Sequence, residues 1–246
     1  MKPQSVLILL FFALLLSGCS LSLAGDVLPP PELSGATVEP AADLPASLPD
    51  PQQGQDIYIE KCAPCHGESG RGDGELASRA ASPVPDIQSR AVWLNASPVA
   101  WYRLVTEGNM AKGMPPFASL NDQQRWNVVA YALSLGMDAA DLRAGSGLFS
   151  QDCANCHGPN GRGGPAEGGA VMPDWTSPSA LAGLTGQQLL DAISAGLPPA
   201  MPAYAGQYTT QQIWQLAAYT RALAFSGGPQ QLITTTAALP VENNNS

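Results

Sequence analysis

The stretch CAPCHG, from Cys62 to Gly67, occurs a second time as CANCHG, from Cys153 to Gly158, 91 residues further along the chain. Each copy places two cysteines three positions apart and a histidine directly after the second one. The chain of 246 residues contains five cysteines and two histidines, so the copies use both histidines and all but one cysteine. The repeated motif therefore determines how each half of the chain is interpreted.

The spacing C-x-x-C-H is the signature of covalent haem attachment. Two thiols at positions i and i+3 lie on the same side of a helical turn and can add to the two vinyl groups of a haem. The histidine that follows is carried beneath the ring, where an imidazole nitrogen reaches the iron. The sequence thus predicts two covalently bound haem c groups, with four cysteine thioethers and two histidine ligands. These residues are Cys62, Cys65 and His66 in the first motif, and Cys153, Cys156 and His157 in the second.

Other uses of paired cysteines fit the sequence less well. A redox dithiol belongs to a strand-rich pattern that is absent here, and the adjacent histidine has no part in it. A four-cysteine zinc site usually joins its pairs across about 15 to 20 residues, whereas 91 residues separate these two motifs. Disulfides within the motifs would close only very short loops and stabilise almost nothing. Covalent haem is the interpretation that uses every residue of both motifs.

The flanks of the two motifs match as well. The segment CHGESGRG corresponds to CHGPNGRG, and GMPPF at 113–117 corresponds to AMPAY at 200–204. Agreement at several separated positions indicates an internal duplication. We therefore expect two tandem domains, the first over residues 51–138 and the second over residues 139–228.

Each half contains three segments with helical periodicity and no segment that reads convincingly as a strand. The expected helices are 52–62, 98–107 and 122–135 in the first half, and 143–153, 186–195 and 211–223 in the second. Asn121 and Thr209 stand where N-caps are expected, with Gln124 and Gln212 at the capping-box position. The predicted fold class is all-α, with each domain a small helical fold wrapped around a covalent haem.

With these motifs in place, residues 50–226 resemble class I cytochromes c in the two-domain, di-haem arrangement. The resemblance implies that three or more helices wrap each haem and that histidine and methionine hold the iron. It also implies that the first and last helices of each domain cross at a glycine and an aromatic residue. Gly54 with Tyr131, and Gly145 with Tyr219, occupy the corresponding positions.

Repetition selects the second iron ligand among the six methionines. Met114 and Met201 each precede a proline and then the last helix of their half. Met110 is the rival in the first half, but Leu197 stands near that place in the second. Met172 is the rival in the second half, but it aligns with Val84, which cannot ligate iron. The expected sixth ligands are therefore Met114 and Met201, whose thioether sulfur favours ferrous iron.

Pro85 and Pro173 resemble the proline of this family whose carbonyl accepts the imidazole N–H and orients the ligand. Simple turn chemistry is the alternative explanation, because Pro85 follows its histidine by 19 residues and Pro173 by 16.

The start of the chain reads as an export segment. Residues 1–18 form a short apolar leader, and LSGC ending at Cys19 resembles a bacterial lipobox, which predicts lipidation of Cys19. An ordinary secretory leader cleaved after Ala24 is the alternative. Residues 19–50 are rich in proline and acidic residues, which is typical of an extended tether, and residues 229–246 read as a flexible tail. We expect an extracytoplasmic, membrane-anchored lipoprotein, in the periplasm or on the outer face of the cytoplasmic membrane.

If histidine and methionine occupy both iron sites, no coordination position remains for a substrate, and single-electron transfer is the reaction left. We expect a non-enzymatic carrier of electrons between membrane-bound redox complexes, with protein partners and no small-molecule substrate. The alternatives are a fixed electron-transfer subunit of a larger oxidoreductase and, less in keeping with the ligands, a di-haem peroxidase. The formal charge of −9 argues against nucleic acid as a partner.

Overall fold

The computed structural model describes residues 43–165 and 171–226. The predicted leader 1–18, the lipidation site Cys19, the first part of the tether and the tail 229–246 lie outside these residues. Among the described residues, no helix has the length and apolar character needed to cross a bilayer.

The first half is helical. It consists of α1 (Pro51–Lys61), α2 (Ala63–His66), α3 (Arg90–Asn95), α4 (Pro98–Glu107) and α5 (Asp122–Leu135), with short 3₁₀ turns at Ala77–Arg79 and Met110–Lys112. Side chains cap α1 and α5, the second of them as predicted. Asp50 accepts hydrogen bonds at the start of α1, and Asn121 forms a capping box with Gln124 at the start of α5.

The second half repeats this order. It consists of α6 (Ala139–Leu148), a π-helical turn (Phe149–Cys153), α7 (Ala154–His157), α8 (Pro178–Leu181), α9 (Gly186–Ala195) and α10 (Thr210–Phe225). Two short strands, β1 (Gly164–Pro165) and β2 (Val171–Met172), pair in antiparallel fashion, although the sequence predicted no strand. Helix α6 begins four residues earlier than predicted because the Asp138 side chain caps it by accepting from the backbone N–H groups of Ala140 and Asp141.

In each half the first and last helices cross at a glycine. A Cβ atom on Gly54 would stand 2.0 Å from the carbonyl oxygen of Asn127, and one on Gly145 would stand 2.2 Å from that of Gln215. The predicted crossing is therefore present in both halves. Tyr219 lies at the second crossing, whereas Tyr131 packs against the Tyr58 ring, with centroids 5.1 Å apart, one turn beyond the first.

The largest hydrophobic cluster contains residues of both halves, including Trp93 and Trp126 from the first and Leu181 and Trp214 from the second. A smaller cluster lies beside each cysteine motif, one around Tyr58 and the other around Phe149. The two halves thus share one core, while each motif has apolar surroundings of its own.

The last residues of the predicted tether lie on the first half. Asp43 forms a salt bridge with Arg103 at 2.7 Å, and Leu44 packs against the shared core. The side chain of Ser47 also donates a hydrogen bond to Gln123. Residues 43–50 are therefore bound to the protein surface, unlike the fully extended tether expected from their composition.

Candidate haem-binding sites

Each motif forms one turn of helix directly after the first helix of its half. In the first half the backbone N–H groups of Cys65 and His66 both donate to the carbonyl of Cys62, at 3.1 and 2.9 Å. This turn places the two cysteines on one side, as covalent attachment to a single haem requires. In the second half Ala154–His157 is helical after the π-helical turn that ends at Cys153.

The loop after each histidine has the same backbone geometry in both halves. Gly67 and Gly158 each have φ 75° and ψ 153°, a conformation that favours glycine. A few residues later the backbone N–H of Gly72 donates to His66 O at 2.8 Å, and that of Gly163 donates to His157 O at 2.9 Å. The repeated sequence therefore builds the same local structure twice.

A cavity of about 510 Å³ opens beside the first motif. Its lining contains Cys62, Cys65, His66 and Met114, which are the four first-half residues expected to hold a haem. Most of the remaining lining is apolar, and its two charged residues are Lys61 and Lys112. A concave, mostly apolar site with a few convergent ligands is what a cofactor of this size and chemistry needs.

Both histidines are suited to bind iron. The Nδ1 atoms of His66 and His157 are buried and have no hydrogen-bond partner. Burial lowers the pKa of both imidazoles, so both are neutral at physiological pH. A neutral imidazole is the form that ligates a metal. Together with the cavity lining, these residues fit a haem.

The thiols of Cys62 and Cys153 are protonated at neutral pH. None of the four motif cysteines forms a disulfide in the described part of the chain. Burial, and then the proximity of Cys65, raises the pKa of Cys62 to about 12. Burial, and then the charge of Asp152, raises the pKa of Cys153 to about 11. Since the thiolate is the reactive form, both thiols are chemically quiet in the chain at neutral pH.

The two expected methionine ligands lie at equivalent places. Met114 forms an isolated antiparallel bridge with Asn109, through backbone hydrogen bonds of 2.7 and 3.0 Å, and Met201 forms the same bridge with Leu197, at 2.9 and 3.0 Å. Both side chains are partly buried. Met110, the rival in the first half, is 71% exposed and does not line the cavity.

The segment that carries each methionine is held close to the preceding helix. Gly108, at the end of α4, has φ 72°, and a Cβ atom there would stand 2.5 Å from the backbone nitrogen of Pro116. Further along, Phe117 N donates to Val105 O at 3.0 Å, and Tyr204 N donates to Ile193 O at 3.2 Å in the second half. Backbone hydrogen bonds thus hold each methionine segment on both sides of the methionine. Sequence inspection predicted the two methionine ligands but not these backbone bridges.

Pro85 lies in the cavity lining with His66. Its carbonyl oxygen is close to Gly72, as that of Pro173 is to Gly163. The expected hydrogen bond from imidazole N–H to proline carbonyl is not formed in this structure, since neither Nδ1 atom has a partner. The prolines are therefore near their histidine loops, and their orienting role remains a prediction.

The second site has aromatic neighbours. Trp175 stacks on the imidazole of His157, with ring centroids 3.9 Å apart. Tyr204 donates a hydrogen bond to the backbone oxygen of Asp152 at 3.1 Å, and Tyr208 donates to the carboxylate of the same residue. These tyrosines tie the methionine segment to the residue before Cys153. Sequence inspection missed both, because nothing local connects positions more than 50 residues apart.

The comparisons with known proteins agree with this geometry. The family model described as "Cytochrome C oxidase, cbb3-type, subunit III" matches twice, over residues 49–131 and 140–219. The chain is 32% identical to a cbb3-type cytochrome c oxidase subunit CcoP of Rubrivivax gelatinosus over 71% of this chain and 56% of that protein. It is 30% identical to the CcoP subunit of Azospirillum brasilense over 69% of this chain and 61% of that protein.

A third relative comes from a different complex. The cytochrome bc1 complex cytochrome c subunit of Mycobacterium leprae is 27% identical over 80% of this chain and 66% of that protein. The chain spans about three fifths of the length of the CcoP relatives. The double match covers both halves and both motifs. The chain belongs to the family of cbb3-type cytochrome c oxidase subunit III, and it is an all-α c-type cytochrome with two covalently bound haems.

Proposed function

We propose that this chain is an electron-transfer subunit of a membrane-bound redox complex and has no catalytic site of its own. The observation that carries the proposal is the first cavity, whose lining brings together two thiols, an imidazole and a thioether from one half of the chain. Relatives named as subunits of an oxidase and of a bc1 complex support the same role. Because these relatives are named as subunits of complexes, we favour a fixed subunit over the free carrier that the sequence analysis preferred.

We assign the first haem to Cys62 and Cys65 as thioethers, with His66 and Met114 as iron ligands. Each haem supplies a one-electron redox centre when bound. The apolar residues that line the first cavity would surround that centre and limit its contact with water. If His66 and Met114 both hold the iron, no coordination position remains for a substrate.

The second haem is assigned by repetition to Cys153 and Cys156, with His157 and Met201 as ligands. The equal backbone geometry at Gly67 and Gly158 supports the assignment, as do the equal bridges at the two methionines. Pro85 and Pro173 are proposed to orient the histidines once the haems are attached.

We further propose that the domains lie outside the cytoplasm and that a lipid on Cys19 anchors them to the membrane. The support is the lipobox-like stretch and the apolar leader before it. A membrane tether would raise the effective concentration of membrane-bound partners. Mass spectrometry of the mature protein would reveal a diacylglycerol at Cys19, and its absence together with cleavage at another residue would contradict the anchor.

A potentiometric titration followed by absorbance tests the proposed ligands and the absence of a catalytic site. We expect two one-electron transitions, the weak red band of methionine-ligated ferric haem from both sites, and no stoichiometric binding of carbon monoxide to the reduced protein. Stoichiometric binding would reveal an open iron position and favour the peroxidase alternative.

Purification from mild detergent separates a subunit from a carrier. A fixed subunit leaves the membrane in constant ratio with larger redox proteins and stays with them in salt. A free carrier separates from them as a single chain. If the chain separates from these proteins at low salt while both haem sites are fully occupied, the free carrier is the favoured function instead.

A further inference from the structure

Four side chains form a continuous stack between the two halves. The guanidinium of Arg90 lies over the Trp214 ring at 4.2 Å, and Trp214 meets Trp93 edge to face, with centroids 4.6 Å apart. The guanidinium of Arg221 then lies over Trp93 at 4.4 Å. Arg90 and Trp93 come from α3, whereas Trp214 and Arg221 come from α10, so the stack alternates between the halves. We call these four residues the Arg–Trp stack.

Arg221 is the most deeply buried member of the Arg–Trp stack, with no exposed surface. One of its terminal nitrogens donates to Ala96 O in the first half at 3.1 Å, and the other donates to Leu184 O in the second half at 2.8 Å. No carboxylate pairs with it among the described residues. A buried cation held only by carbonyls and one ring face is costly to place, so its bonds matter for how the two halves sit together.

The contacts around the Arg–Trp stack leave little room for the two halves to slide past each other. Val99 N in the first half donates to Ala182 O in the second at 3.0 Å, and Arg90 donates to the Gln211 side chain at 2.9 Å. A Cβ atom on Gly186, the first residue of α9, would stand 2.2 Å from the Trp93 ring. Helix α9 thus begins directly against the indole, and only a residue without a side chain permits this approach.

The two guanidinium charges beside the indoles argue against a role for this tryptophan pair as an electron relay. A tryptophan pair between two redox centres can in principle be oxidised transiently and pass an electron on. Here a guanidinium lies on each side of the pair, and a positive neighbour disfavours formation of a second positive charge. The arrangement suits holding the halves together and opposes a radical-cation relay.

From these contacts we infer that the Arg–Trp stack holds the two haem-binding halves at one fixed separation and orientation, with Arg221 as the positioning residue. Domains of one chain usually move relative to each other unless their interface is large and apolar. Here a shared core and a buried bridging cation remove that freedom. The benefit of a fixed separation, a constant rate of electron passage between the haems, rests on the proposed function.

Pulsed electron paramagnetic resonance of the doubly ferric holoprotein tests the inference through the distance between the two irons. We expect one narrow distance in the native protein. Arg221→Met removes both carbonyl bonds and the charge at similar side-chain length, and we expect loss of the narrow peak with both haems still attached. The matched control is Arg143→Met, which removes an exposed guanidinium from α6 of the same half and keeps the narrow peak.

Arg221→Lys serves if Arg221→Met does not mature. Lysine keeps the charge but has one nitrogen in place of the planar fork, so it cannot reach both carbonyls and stack at once, and the peak should broaden. Trp93→Phe retains an aromatic ring beneath the Arg221 guanidinium, so its iron–iron distance peak should be narrower than that of Trp93→Ala. A broad distance in the native protein, or an unchanged narrow one in both Arg221 variants, overturns the inference.

A kinetic measurement separates this inference from the proposed function. Photochemical injection of one electron reports its passage between the haems in native protein and in Arg221→Met. A narrow native distance that is lost in the variant, with no passage in either protein, would leave the positioning role standing and refute electron transfer between the haems. Passage that slows in Arg221→Met and not in Arg143→Met would support both.

Discussion

Gly145 on α6 lies against the backbone of Gln215 on α10, so closely that a Cβ atom would stand 2.2 Å from the Gln215 carbonyl oxygen and 2.9 Å from the Tyr219 Cβ. Gly54 meets Asn127 in the same way in the first half. The two helix pairs that frame the haem-binding motifs therefore depend on the absence of one side chain each.

Gly145→Ala should destabilise the second half by about 2 kcal/mol, because the added methyl group forces the helices apart. Gly147, two residues later on the same helix, has open space around its Cα. Gly147→Ala should therefore stabilise the protein by up to about 1 kcal/mol through helix propensity. Thermal unfolding of the two variants checks the contrast. Equal shifts would show that the close crossing carries no energetic weight.

Met114→Ala should remove about half of the red absorbance band of the ferric protein, because one of two sites loses its sulfur ligand. The potential of the first haem should fall at the same time. Met110 is 71% exposed, so Met110→Ala serves as the control and should leave the band and both potentials unchanged. A band lost in Met110→Ala instead would reverse the assignment.

The second site allows the same comparison. Met201→Ala in the otherwise native protein should also remove about half of the band, the same intensity that Met114→Ala removes. Met172 lies on β2, paired with Gly164, and Met172→Ala should leave the band intact. Retention of the full band in Met201→Ala would refute the repeated ligand set.

Gly108→Ala should loosen the segment that carries Met114. The residue has φ 72°, and a Cβ atom would stand 2.5 Å from Pro116 N. The backbone conformation alone costs about 1 to 3 kcal/mol with a side chain, and the close approach adds to it. We expect weaker methionine ligation, seen as a smaller red band. Gly206→Ala separates the two causes, because Gly206 has φ 90° with open space around it and should lower stability without changing the band.

Tyr58→Phe should destabilise the first half by about 1 kcal/mol. The Tyr58 hydroxyl is buried and donates to Gly67 O at 3.0 Å, directly after the motif histidine. The second half has Phe149 at the equivalent position and no such bond, so the variant makes the halves alike. Chemical denaturation of the holoprotein measures the change. An unaltered unfolding midpoint would show that the loop is held by its backbone turn alone.

Helix α9 runs from Gly186 to Ala195, as predicted, because Thr185 and Gln188 form a capping box within a few residues of each other. Helix α10 extends to Phe225, two residues past its predicted end, because Ala224 and Phe225 pack into the shared core. Local signals thus located the helices, while packing against distant residues set some of their ends.

The placement of Trp93 shows the limit of sequence inspection. It lies between Trp214 and Arg221 at the junction of the halves. These partners are more than 100 residues away along the chain. A side chain's neighbours across such a distance leave no mark in its local pattern.

The amino-acid sequence by itself determined the duplication, the haem motifs and the helical class, because each is written in spacing between near neighbours or in repetition. The choice of Met114 and Met201 as iron ligands rests on the same repetition and stays a prediction. Only the tertiary structure decided how the halves join, which residues brace the methionine segments, and where Arg221 is buried. Those outcomes depend on which surfaces meet after the helices form, and many surfaces are compatible with the same local pattern.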